Sequence, residues 1–270
     1  MDNIITSRNN PLIRDIARLS EKKFRESSGM FIFEGFKLAE EAHNAGIVPE
    51  YMFVTESAYE MKQGLVNSLG GRLVKVTPEV YDRISEEKSP QGLLCAAKHL
   101  DNLHKKATIY SIAGNTTFEG SPVRFLLSSI RDPGNLGTMI RTAAAFGVDE
   151  LLISSDCAEL YNPKTLRASM GAIFRQRVTI CEDIAQAVKA LRESGYNIYA
   201  ATLNDSAVSL MDARTGRDTC FVIGNEGHGL SEEVIRACTG SVKIPMEAGS
   251  ESLNAAAAAA ILMWESYRNR

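Results

Sequence analysis

The chain has 270 residues, 44% of them apolar and 23% charged, which suits two domains of roughly 100–150 residues and excludes a disordered chain. A net charge of -3 excludes a uniformly basic nucleic-acid binder, although not one with local basic patches, because phosphate contacts act within about 10 Å. Five scattered cysteines (Cys95, Cys157, Cys181, Cys220, Cys238) with no C-x-x-C pair argue against a disulfide scaffold or a zinc ribbon, and no metal is expected.

The first helix is predicted from Pro11 to about Ser27, with Leu12, Ile16 and Leu19 on one face. Strands and helices then alternate: strand Met30–Gly35, a helix ending at Gly46, strand Tyr51–Thr55, helix Ala58–Leu69, strand RLVKVT, a short helix after Pro78 and strand GLLCAAK. This reads as a small α/β domain over residues 1–105. The periodicity lapses over about 99–122, which is taken as the linker to a second domain, 106–270.

The second series opens with VRFLLSSI (Val123–Ile130), apolar enough for a parallel strand buried on both faces. It continues with helix Leu136–Phe146, strand ELLIS, helix Pro163–Phe174, strand VTI and helix Ile184–Glu193. Strands NIYAATL and CFVIG, helix Ser231–Cys238, strand VKIPM and a last helix from Ser252 to about Arg268 complete it. No run reaches the roughly 18–20 apolar residues that cross a bilayer, and no charged leader precedes an apolar segment. A soluble, cytoplasmic protein with no membrane partner is expected.

Three loops at the carboxyl ends of predicted strands stand out, since open parallel sheets place ligands there. In RDPGNLGTMIRTAAAFG (Arg131–Gly147), Asn135 is a candidate helix cap, and Arg141 follows within two turns. FVIGNEGHGLSEEV (Phe221–Val234) sets three glycines around Glu226 and His228. It is neither the dinucleotide fingerprint nor a P-loop, and its following acidic helix start disfavours a polyphosphate. In KIPMEAGSESLNAAAAAAILMW (Lys243–Trp264), Ser252 is a candidate cap for a helix whose alanine run permits close packing.

In this order the three segments resemble the SpoU (TrmH-type) RNA 2'-O-ribose methyltransferases of the SPOUT superfamily. The resemblance rests on N-x-G-x-x-x-R at Asn135, Gly137 and Arg141, G-x-E-G at Gly224–Gly227, and I-P-M with S-L-N at Ile244–Met246 and Ser252–Asn254. Ser7, Asn10-Pro11, Lys23, Arg25 and Glu34-Gly35 are similar to the substrate-binding domain of such enzymes, an L30e-like ribosomal-protein fold. The third motif departs from the family in reading S-L-N-A-A where many members read S-L-N-V-S.

The resemblance implies a parallel α/β sheet with a deep trefoil knot and a homodimer whose active site draws on both subunits. It also implies S-adenosylmethionine as cofactor, converted to S-adenosylhomocysteine, and RNA rather than DNA as substrate, with 23S ribosomal RNA favoured over tRNA. Thr202, Leu203, Gly224, Gly227, Ile244, Met246 and Leu253 map to the cofactor site; Asn135, Arg141, Glu226, Ser252 and Asn254 map to catalysis. For RNA, the stripe Arg14, Arg18, Lys22, with Arg8, Lys23 and Arg25, forms one candidate surface. Lys164 and Arg167 form another, with Arg175 and Arg177 beside them. Trp264 is expected in the core. A tRNA 2'-O-methyltransferase and a non-enzymatic ribosome-associated RNA-binding protein remain alternatives.

Overall fold

The structure, a computed structural model, describes residues 4–107, 122–247 and 252–269. The described helices are α1 (Pro11–Arg18), α2 (Lys22–Ser28), α3 (Phe36–Asn44), α4 (Glu56–Ser68), α5 (Pro78–Ile84), α6 (Pro133–Ala145), α7 (Pro163–Ser169), α8 (Ile184–Glu193), α9 (Glu232–Ala237) and α10 (Ala255–Arg268). The strands are β1 (Met30–Glu34), β2 (Tyr51–Val54), β3 (Arg72–Lys75), β4 (Leu93–Lys98), β5 (His104–Ala107), β6 (Arg124–Leu127), β7 (Glu150–Ser154), β8 (Arg177–Cys181), β9 (Asn197–Ala201), β10 (Val208–Ser209), β11 (Thr219–Ile223) and β12 (Gly240–Lys243).

The chain divides into two compact units. One comprises Met1–Leu100 together with Glu159–Arg175, the other Asp101–Ala158 with Gln176–Arg270. A single cut within 99–122 therefore misses a return segment, Glu159–Arg175, that packs with the N-terminal residues.

In the first unit a four-stranded sheet runs β1-β4-β2-β3, with β2 and β3 parallel and β4 antiparallel to both its neighbours. Ile13, Ile16 and Leu19 pack with Ile32, Phe53 and Leu94 in its core. The return segment adds Tyr161, stacked on Phe31 at 4.4 Å, and Phe174, edge-on to Phe33 at 5.0 Å.

The expected single helix Pro11–Ser27 is two helices broken at Leu19–Glu21. Arg25 explains the break. Its Nη1 donates to the Leu19 and Ser20 carbonyls at 2.6 and 2.7 Å, capturing acceptors that a continuous helix would have used. Its Nε and Nη2 grip the Glu159 carboxylate as a fork, and Arg25 is 2% exposed. Helix Pro163–Phe174 is likewise interrupted, at Met170 and Gly171. Gly171 has φ +86°, and a Cβ there would meet the Glu41 side chain at 2.3 Å.

In the second unit eight described strands form one parallel sheet, β10-β12-β9-β11-β6-β7-β8-β5. Two of them were not foreseen: β5, inside the expected linker, pairs with β8, and the two-residue β10 pairs with β12. The chain lays β7 and β8 on one side of β6, then crosses to build β9, β11 and β12 on the other. The switch falls between β6 and β11, so the loops after these two strands open a crevice beyond their carboxyl ends. Both strands are buried over Phe125–Leu127 and Thr219–Ile223, as parallel strands covered on both faces should be. No helix among the described residues is long and apolar enough to cross a membrane.

Candidate active site

The crevice is built by the loops after β6 and β11 and by the start of α10. Asp132, not Asn135, caps α6: its Oδ1 accepts from the Asn135 N–H at 2.7 Å, and Pro133 takes the first helical position. The Asn135 side chain is thereby left to look outward. Similarly Asn254, not Ser252, caps α10, its Oδ1 accepting from the N–H groups of Ala256 and Ala257 at 2.9 and 3.2 Å.

These two asparagines meet over the crevice. Asn254 Nδ2 donates to Asn135 Oδ1 at 3.1 Å, and Asn135 Nδ2 donates to Glu226 Oε1 at 2.7 Å. Three residues from three separated segments, the first turn of α6, the loop after β11 and the cap of α10, thus form one hydrogen-bonded chain. Arg141 is not in it: the side chain is exposed, and no described residue pairs with it. Six residues along a helix turn through about 600°, which leaves the two side chains roughly 120° apart, so Arg141 does not share the face of Asn135.

Beside this chain lies a pocket of about 490 Å³, a usual size for a small-molecule site. All seven residues assigned to the cofactor line it (Thr202, Leu203, Gly224, Gly227, Ile244, Met246 and Leu253), together with Glu226 and Ser252. Leu203 and Leu253 keep 58% and 39% of their surface exposed there, an apolar lining suited to a flat heteroaromatic ring. Among the described residues the charged lining is Glu226 and Glu232, with no lysine or arginine. That donor set fits S-adenosylmethionine, which pairs an adenine ring with a cationic sulfonium. Reasoning from the sequence missed Asn204, Asn225 and Glu232 on this wall; Asn225 sits at the unassigned position of G-x-E-G.

A second cleft of about 900 Å³ lies on the other side of the loop after β11, sharing Asn225, His228, Gly229 and Leu230 with the first. Asp156 stands in it, accepting from Ser129 Oγ and Ser154 Oγ at 2.6 Å each and from Arg131 at 3.3 Å. Burial pushes its carboxyl up, but these donors outweigh burial and hold it below its ordinary value. A depressed folded pKa contributes stability that is present above the unfolded value, about 3.9, and lost as pH falls through the folded one. Urea melts at pH 6 and pH 3 should therefore show a smaller acid-induced loss for Asp156→Asn than for the unsubstituted protein.

The basic residues fare unevenly. Arg25 is buried against Glu159, which removes it from any RNA surface. The helix break also dissolves the stripe of Arg14, Arg18 and Lys22 as a single helical face. Arg18 lies over the Phe24 ring at 4.1 Å, Lys22 pairs with Glu26 at 3.7 Å, and Arg8 Nε donates to the Glu79 carbonyl at 2.8 Å. Arg167 pairs with Glu87 at 2.9 Å and Arg175 with Glu41 at 2.8 Å. Arg14, Lys23 and Lys164 are exposed and have no ion-pair partner among the described residues. Trp264 is not a core residue: it is 49% exposed, in a cluster with Phe146 and Tyr267. Among the described residues no group of histidines, cysteines or carboxylates is placed to hold a metal.

Compared with known proteins, residues 10–95 match the MRM3-like substrate binding domain and residues 122–264 the SpoU rRNA Methylase family. The 23S rRNA (guanosine(2553)-2'-O)-methyltransferase RlmP of Bacillus subtilis is 29% identical over 263 residues, covering 96% of this chain and 97% of that one. The AdoMet-bound rRNA methyltransferase of Sinorhizobium meliloti superposes with a TM-score of 0.82 at 25% identity, covering 98% and 97% of the two chains. A solved RNA 2'-O ribose methyltransferase superposes at 0.81 with 28% identity and 99% of each chain. The chain belongs to the SpoU rRNA methylase family.

Proposed function

We propose that this protein transfers a methyl group from S-adenosylmethionine to a ribose 2'-hydroxyl of ribosomal RNA. The observation that carries the reading is the Asn254–Asn135–Glu226 chain, whose Glu226 is shared with the 490 Å³ pocket. Family membership and the relatives' rRNA substrates support it. When bound, the cofactor supplies an electrophilic methyl on a sulfonium.

The chain's own residues then have positional work. Glu226 places a carboxylate beside the cationic cofactor and is fixed by Asn135, which Asn254 fixes in turn. In-line approach of the hydroxyl depends on this rigidity. Arg141 is a poor general base, since a guanidinium keeps its proton above about pH 12. It binds the adjacent phosphate and lowers the hydroxyl's pKa, and the proton leaves to solvent or to a phosphate oxygen.

The reading includes a cytoplasmic homodimer, in keeping with five free cysteines, and a site completed by both copies. Arg141, exposed and apart from the asparagine chain, is the residue that the second copy supplies. Arg141→Ala should cut methyl transfer at least tenfold and leave S-adenosylmethionine affinity unchanged. Mixing Arg141→Ala with Glu226→Gln protomers should restore about a quarter of the activity, because half the dimers formed then hold one intact site of two. No recovery on mixing would place Arg141 in the same copy's site. The expected deep trefoil knot belongs to this proposal; residues 248–251, between β12 and α10, lie outside the described residues.

The direct test is an alkaline ladder of ribosomal RNA from cells with and without the gene. A 2'-O-methyl group blocks cleavage at its own position, so one missing band is expected. Identical ladders for ribosomal and transfer RNA would leave the non-enzymatic RNA-binding reading.

A further inference from the structure

Between β6 and β11, where the strand order reverses, one side chain ties the two crevice loops together. Asn225 Nδ2 donates to the Ser129 carbonyl at 2.8 Å, while its Oδ1 accepts from the N–H groups of Gly227 and His228 at 2.8 and 3.1 Å. Its own N–H and C=O close a backbone pair with Gly229 at 3.1 and 3.0 Å. The acceptor half of the amide therefore curls the cofactor loop on itself, and the donor half fastens that loop to its neighbour.

The neighbour is held in readiness. Ser129 has φ +57°, a left-handed conformation that strains a residue with a Cβ. It is kept there by three contacts: its N–H to Ser154 Oγ at 2.7 Å, its Oγ to Asp156 at 2.6 Å, and its carbonyl to Asn225. The strained backbone turns that carbonyl onto the Asn225 amide. Three residues further on, Asp132 caps the helix that carries Asn135, the partner of Glu226.

We propose that Asn225 is a positioning residue with two separable duties. Its oxygen shapes the loop that holds the cofactor, and its NH2 group registers Glu226 against Asn135 by way of Ser129. This rests on the methyltransferase reading above and assigns a residue that the three motifs leave out.

The duties separate in two variants. Asn225→Asp keeps the acceptor and loses the donor; Asn225→Ala loses both. Affinity for S-adenosylmethionine is read by calorimetry. Single-turnover methyl transfer is read at saturating cofactor, on ribosomal RNA from cells lacking the gene, alongside the thermal midpoint. Asn225→Ala should weaken S-adenosylmethionine at least tenfold. Asn225→Asp should bind it within about threefold of the unsubstituted protein and still transfer methyl at least tenfold more slowly. That split, at an unchanged thermal midpoint for Asn225→Asp, is not produced by loss of fold.

Full activity in Asn225→Asp would overturn the donor's role, and unchanged affinity in Asn225→Ala would overturn the acceptor's. If Asn225→Ala fails to fold, Asn225→Asp decides alone: weak binding with an unchanged midpoint overturns the proposal, tight binding with slow transfer sustains it. An unsubstituted protein that binds no S-adenosylmethionine refutes the cofactor reading instead, a result distinct from either.

Discussion

Gly224→Ala is expected to weaken S-adenosylmethionine binding at least a hundredfold, about 2.7 kcal/mol. An added Cβ would lie 2.5 Å from the Gly229 carbonyl carbon, 2.6 Å from its oxygen and 2.7 Å from the Leu230 nitrogen. All three are backbone atoms, so no side chain can swing away. The loop must open, and with it goes the Asn225–Gly229 pair that curves the pocket wall. Forcing a methyl into such a contact also costs about 1–3 kcal/mol of stability. Gly229→Ala makes the contrast: φ is +68°, but among the described residues no atom beyond its own chain neighbours lies within 4 Å of the added carbon. That variant should cost only the left-handed backbone, about 1–2 kcal/mol. Calorimetry and urea melts on both separate crowding from strain; equal losses of affinity would show that crowding at Gly224 is not what matters.

Arg25→Ala is the second large effect, and it falls on stability. The substitution strands Glu159, whose side chain is 14% exposed, and releases the Leu19 and Ser20 carbonyls. Removing one partner of a buried pair costs about 3–5 kcal/mol, of the order of a whole domain's margin. Lys23→Ala, on the exposed surface of the same helix, should stay within about 0.5 kcal/mol. Urea denaturation reads both. Normal stability with weakened RNA binding in Arg25→Ala would return this residue to the RNA surface.

The contrast between the two sites explains what a sequence can disclose. The loops that hold Glu226 and lead into Asn135 and Asn254 were legible because strand periodicity locates strand ends, where ligand chemistry gathers; the three residues themselves were singled out by the resemblance to the SpoU enzymes. Their roles within the loops were less so. Asn135 and Ser252 look as good at capping as Asp132 and Asn254, and only the backbone path decides among them.

Arg25 was illegible for another reason. Its partner Glu159 is 134 residues away, and nothing local distinguishes a buried guanidinium from a solvated one. The same distance hid β5, a short stretch with two lysines that pairs with β8 more than 70 residues later. Arg141 illustrates a third limit: spacing placed it near Asn135 in sequence, whereas helical rotation carries it to a different side.

The return of Glu159–Arg175 to the N-terminal residues bears on the order in which the protein is made. Domains ordinarily fold as they emerge from the ribosome, the first before the second is complete. Here the first 100 residues leave the tunnel without the Tyr161 ring that covers Phe31, the Phe174 edge against Phe33, or the carboxylate that neutralises Arg25. The N-terminal unit therefore cannot reach its final core until residue 175 has left the tunnel. By then β6 and β7, the middle of the other sheet, are already available to pair. The two units ripen together rather than in turn, and a fragment ending at Leu100 is a poor stand-in for the first.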